Sequence, residues 1–227
     1  MHQKLADCLF YEENIRGSLA ELKIAEKAYV PFVVQDPGNM RVQQTVASIY
    51  RDEGESYEVL SDWRNAREAY RKVTSILTAS LRQDPKNRMW QSHYAETLIS
   101  LAGTELHLGM KDEAKTHEQQ GIVLSLQLAG AADPAPEDLD SAARHLLMAE
   151  PTALRQPKQA LAYAIRANQL VHDTEPDYLM TLAKAQRANG DPQAARKTVE
   201  KLLGIHPSGD VRKESQLLLR QLDSNKH

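Results

Sequence analysis

A single cysteine, Cys8, in 227 residues excludes an intrachain disulfide and any zinc site built from several thiolates. Aromatic residues are scarce at 5%, too few for a β-sandwich or barrel, whose pleated faces favour them. Long apolar runs are missing. The best candidate, Tyr29 to Val34, contains Pro31 and falls far short of the roughly 18 residues a membrane span needs. Basic surplus is missing too: 28 Lys and Arg face 31 Asp and Glu, for a net charge of −3. Nucleic-acid binders neutralise phosphates with a basic excess, so no nucleic-acid partner is expected. Leu5-Ala6-Asp7-Cys8 has the form of a lipoprotein cleavage box, but no apolar region precedes it. The chain therefore reads as cytoplasmic, or as a soluble part of a larger protein whose targeting signals lie elsewhere, with no membrane contact of its own. At 41% hydrophobic and 26% charged residues it has the composition of a folded globular chain.

What the chain does contain is repetition. Gln35-Asp36-Pro37-Gly38-Asn39 recurs as Gln83-Asp84-Pro85-Lys86-Asn87, with a fainter echo in Ala132-Asp133-Pro134. The three prolines lie 48 and 49 residues apart. Proline cannot continue a helix, and the residue before it avoids helical dihedrals, so each Asp-Pro ends a helix. Between the marks the pattern is helical, two helices per unit. Small and large side chains recur through the second unit as Tyr50, Gly54, Tyr57, Ala66 and Tyr70. A glycine or alanine eight residues into a first helix lets a neighbouring helix approach closely. An alanine opening the second sits where the two cross. This is packing chemistry.

The C-terminal part shortens the period. From Pro176 it runs Leu179, Leu182, Ala183, Gly190, Ala195, Val199, Leu202 and Pro207, with Gln186 where a tyrosine is usual. This resembles the 34-residue tetratricopeptide repeat (TPR), and the second unit is similar to it at Tyr50, Gly54, Tyr57, Ala66 and Tyr70. The resemblance implies an all-α fold, a right-handed superhelical solenoid of antiparallel helix pairs. About eleven helices are expected, with three long pairs over 1–134. Two shorter pairs and a capping helix, Asp210 to Leu222, follow over 135–227. Pro157 opens a helix striped by Ala160, Ala164 and Ala167, and Asp191-Pro192 opens the next. Glu118 and Gly121 stand where the third unit should bury apolar groups, which predicts a loosely packed or displaced helix.

Catalytic spacing is absent. The eight histidines include no pair at i, i+4, and there is no HExxH, glycine-rich phosphate loop or Gly-x-Ser-x-Gly. Asp52, Glu53, Glu55 and Glu58 cluster on one helix, which is more simply a solvated face than an acid–base pair. No cofactor and no metal are expected, and the chain reads as a non-catalytic module. Charge is uneven: residues 1–85 carry −2, 86–150 carry −5 and 151–227 carry +4.

First helices line the concave face of TPR proteins, so the resemblance places peptide contacts at Arg51, Glu55, Glu58, Ile99 and His107, and at Met180, Lys184 and Arg187 in the last repeat. Trp90 and Tyr94 are candidate aromatic anchors, since hot spots favour Trp, Tyr and Arg; Trp90 could instead cover a neighbouring helix. No lysine has Asn or Arg four residues on, so the carboxylate clamp of chaperone-binding TPRs is absent. The expected partner is a protein or peptide. The long repeat and its Asp-Pro-x-Asn joint also look like the tails of some bacterial serine/threonine protein kinases, whose catalytic motifs this chain lacks. The alternatives are an enzyme using scattered His and carboxylates, and a self-association module forming a homo-oligomer.

Overall fold

Two of the three Asp-Pro marks, Asp36-Pro37 and Asp84-Pro85, directly follow a helix end and share one wiring, whereas Asp133-Pro134 stands four residues past the helix end at Ala129. A computed structural model describes residues 2–11, 13–207 and 209–224; His227 lies outside them. Helices α1 (His2–Tyr11) and α2 (Ile15–Gln35) are followed by α3 (Met40–Val59), α4 (Trp63–Gln83) and α5 (Arg88–His107). At the α2–α3 and α4–α5 joints, Asn39 and Asn87 accept from the backbone N–H of Val42 and Trp90, each at 3.2 Å. Their amides donate to Asp36 and Asp84 at 3.4 and 3.2 Å. Gln43 and Gln91 then donate back to the carbonyls of Pro37 and Pro85. These bonds satisfy helix-terminal groups that would otherwise be orphaned. The repeated string is a helix–turn–helix joint.

Next come α6 (Lys111–Ala129), α7 (Pro136–Met148), a 3-10 turn (Thr152–Leu154), α8 (Pro157–Leu170), α9 (Pro176–Ala188), α10 (Pro192–Gly204) and α11 (Gly209–Ser224). There are eleven α-helices and no strand among the described residues, as expected. Neighbours in sequence pack together, α1 on α2, α3 on α4, α7 on α8 and α9 on α10, and their short turns make them antiparallel. Pro136, Pro157, Pro176 and Pro192 open helices, and among the described residues only Pro31 lies in a helix interior, on the exposed side of α2.

The chain forms two compact units, one ending at Leu124 and one beginning at Ser125. In the first, Val46, Tyr50, Val73, Leu77 and Trp90 form a core cluster. Gly54 is needed there, because a Cβ would lie 2.6 Å from the Tyr70 ring. Gly121 corrects the expectation of loose packing. The α6 backbone runs so near α5 that a Cβ would meet the Ala95 carbonyl oxygen at 2.9 Å, and Glu118 is buried rather than displaced. The second unit is built on Leu179, Met180, Val199, Leu202, Leu218 and Leu222. Ala160, Ala164 and Ala167 are fully buried, and Asp191 caps α10 by accepting from Ala194 N–H at 2.9 Å.

Candidate functional site

The first helices of the N-terminal unit, α1, α3 and α5, carry two clefts that flank one arginine. Between α1 and α3 a cleft of about 320 Å³ is walled by Asp7, Phe10, Tyr11, Asp52 and Glu55. Between α3 and α5 a second, of about 300 Å³, is walled by Gln44, Ser48, His93 and Thr97. Arg51 lines both. Its guanidinium lies 3.5 Å from Asp52 and 3.7 Å from Glu55, so two carboxylates of its own helix share it.

The electrostatics are those of crowded carboxylates. Desolvation pushes Glu55 up, and Asp52, Glu96 and Asp7 add to the shift while Arg51 opposes it. Asp52 is raised by burial first and by Asp7 as well, against Gln3 and Arg51. His93 is pushed down, chiefly by burial and also by Arg51. Burial pushes Glu58 up to about 7; the Tyr70 hydroxyl opposes this and Glu55 reinforces it. A carboxyl raised from 4.5 in the folded state favours folding least when it must ionise. Its penalty is absent below about pH 4.5 and grows until the pH passes 7. Glu58→Gln should therefore melt with the parent near pH 4 and above it at pH 8, in a thermal series across that range.

The expected site residues divide. Arg51, Glu55 and Glu58 share one face of α3. His107 is exposed at the end of α5 and stacks on Trp63 of α4, with ring centroids 3.7 Å apart. Ile99 turns towards α6 and packs over Gly121. Trp90 is 1% exposed and belongs to the core, so it cannot anchor a ligand; its place at the first turn of α5 aims it between α3 and α4. Tyr94 lines a different cleft, formed by α4, α5 and α6. In the second unit Met180 is core, at 4% exposure. Lys184 pairs with Glu214 at 2.7 Å and Arg187 donates to Gln221 at 2.6 Å, so α11 already engages both. Glu53 leaves the acidic set: it is buried and pairs with Lys23 at 2.8 Å. Sequence reasoning missed Trp63, whose half-exposed ring its position as first residue of α4 could have suggested.

No protein-family model and no curated protein matches the sequence. Solved structures do. TTC0263, a thermophilic TPR protein of Thermus thermophilus, superposes with a TM-score of 0.62 at 13% identity, over 96% of this chain and 97% of its own. This chain has the TPR fold. TPR-like repeats of a putative kinesin light chain from Podosopora anserina match at a TM-score of 0.51 and 15% identity, over 90% of this chain and 92% of theirs. At these identities the likeness is one of fold, and within it the clefts beside Arg51 lie on the first helices of successive TPR pairs.

Other arrangements carry less. Ser125 and His145 lie 2.8 Å apart like a nucleophile and base, but both are buried, and burial, helped by Arg144, pushes His145 down to about 3. No group of three or more His, Cys, Asp or Glu is placed to hold a metal among the described residues. None of their helices is long and apolar enough to cross a membrane.

Proposed function

We propose that the chain is a non-catalytic interaction module whose α1/α3/α5 face binds a protein or peptide segment carrying Lys or Arg. The observation that carries the reading is the pair of clefts flanking Arg51, with Asp7, Asp52, Glu55 and Glu96 around them. Partly desolvated carboxylates gain most from a cation that restores their charged form. Arg51 then spaces the basic groups by repelling one placed directly over it. Trp63 stacked on His107 offers a flat aromatic surface at one end of these helices, where an arginine could stack. The TPR fold supports such a scaffold, while Lys184 and Arg187 of the second unit are held by Glu214 and Gln221 of α11 and stay outside this face. A place in the tail of a bacterial signalling protein rests on repeat length and the Asp-Pro-x-Asn joint.

The test is an array of decapeptides graded in net charge, probed with the labelled chain at two salt concentrations. Retention should rise with positive charge, fall with added salt, and drop about tenfold in Asp52→Lys with Glu55→Lys. Rim charges of this kind act mainly on association rate. Retention indifferent to peptide charge, or unchanged in the double variant, would refute the reading.

A further inference from the structure

The other side of α5 holds a cleft of opposite chemistry. Helical residues advance about 100° each, so Tyr94, Leu98 and Leu101 face away from Glu96, Gly103 and His107. There α4, α5 and α6 bound an open cleft of about 400 Å³. Its α4 wall is one stripe, Arg71, Ser75, Thr78 and Arg82, at the three- and four-residue spacings that share a helix face. His117 and Gln120 of α6 form the facing wall, and no Asp or Glu lines the cleft among the described residues. The Glu105 carboxylate near His117 is taken: His117 Nδ1 lies 2.7 Å from it and Arg67 donates to it at 3.1 Å. Arg71 and Arg82 are both exposed, and neither guanidinium has an ion pair among the described residues. In a chain of net charge −3, two unpaired arginines with the hydroxyls of Ser75 and Thr78 between them on one helix face are an unused anion-binding capacity.

We propose that this cleft binds an extended acidic peptide segment. Arg71 and Arg82 are three helical turns apart, about 16 Å along α4, too far for one small anion to engage both squarely. An extended chain covers that distance in about five residues. Acidic side chains at its two ends would each meet a guanidinium fork, the geometry in which Arg pairs bidentately with a carboxylate. The hydroxyls of Ser75 and Thr78 and the Gln120 amide would serve the main chain between them. This surface is separate from the α1/α3/α5 face, and the inference stands or falls independently of it.

The experiment is fluorescence anisotropy with fluorescein-labelled Gly-Ser peptides carrying two Glu three, five or seven residues apart, and matched Lys peptides as controls. Binding should be tightest at the five-residue spacing, absent for the Lys peptides, and weaker in added salt. Arg71→Ala and Arg82→Ala should each cost about tenfold in affinity, and the double Glu variant more. Because both side chains are exposed and unpaired, circular dichroism and melting of these variants should match the parent. Undiminished binding by Arg71→Glu with Arg82→Glu, no binding at millimolar peptide, or full competition by inorganic phosphate at equal concentration would each overturn the proposal. The last result would make the cleft a site for a single anion.

Discussion

Trp90→Ala lowers the stability of the N-terminal unit by about 3–5 kcal/mol, the range for emptying a buried aromatic site. Trp90 is the largest of the fully buried side chains and packs with Val46, Tyr50, Val73 and Leu77. Two consecutive TPR pairs meet there, so the cavity would open at the seam between them, where neither pair can collapse alone. With whole-domain stabilities of about 5–15 kcal/mol, such a loss takes a large share. Trp90→Phe should be far milder, because the Trp90 indole N–H has no partner among the described residues and its removal costs no hydrogen bond. Urea denaturation of parent and both variants measures the difference. Binding by the folded fraction of Trp90→Ala should stay normal, as an anchor's would not.

Arg67→Met is expected to cost about 3 kcal/mol, near the low end for breaking a buried ion pair. Glu105 is fully buried, bonded to Arg67 at 3.1 Å and to His117 at 2.7 Å. Without Arg67 its carboxylate keeps only His117 of its two side-chain partners, and an under-paired buried charge is dearer than a missing apolar contact. His117 remains, which keeps the loss from reaching the upper end. The companion variant Arg67→Met with Glu105→Leu removes both charges and should recover most of the stability, since apolar replacement of a whole buried pair is often neutral or better. Equal melting of Arg67→Met and the parent would show that His117 alone satisfies Glu105.

Much of the helical order is legible in local chemistry. Asp36-Pro37 and Asp84-Pro85 stop helices for reasons confined to a few residues, and Asn39, Asn87 and Asp191 start them by capping. Gly54 with Tyr70 and the alanines of α8 could be read because small residues at helical spacing announce close approach wherever the neighbour lies. The proposed binding face was only partly legible. Arg51, Glu55 and Glu58 follow from helical phase, whereas Trp90 and Tyr94 do not, because a large aromatic on an amphipathic helix suits a core or an interface equally.

Sequence by itself therefore determined the all-α class, the paired helices, their ends and the small-residue crossings, since each depends on backbone dihedrals and spacing within one or two turns. Tertiary structure decided which side chains are free. It placed Trp90 and Met180 in cores and gave Lys184 and Arg187 partners on α11. It also left Arg71 and Arg82 unpaired beside a carboxylate-free cleft. Burial and ion pairing are set by groups that meet across helices, often tens of residues apart in the chain, and a one-dimensional pattern does not contain that distance.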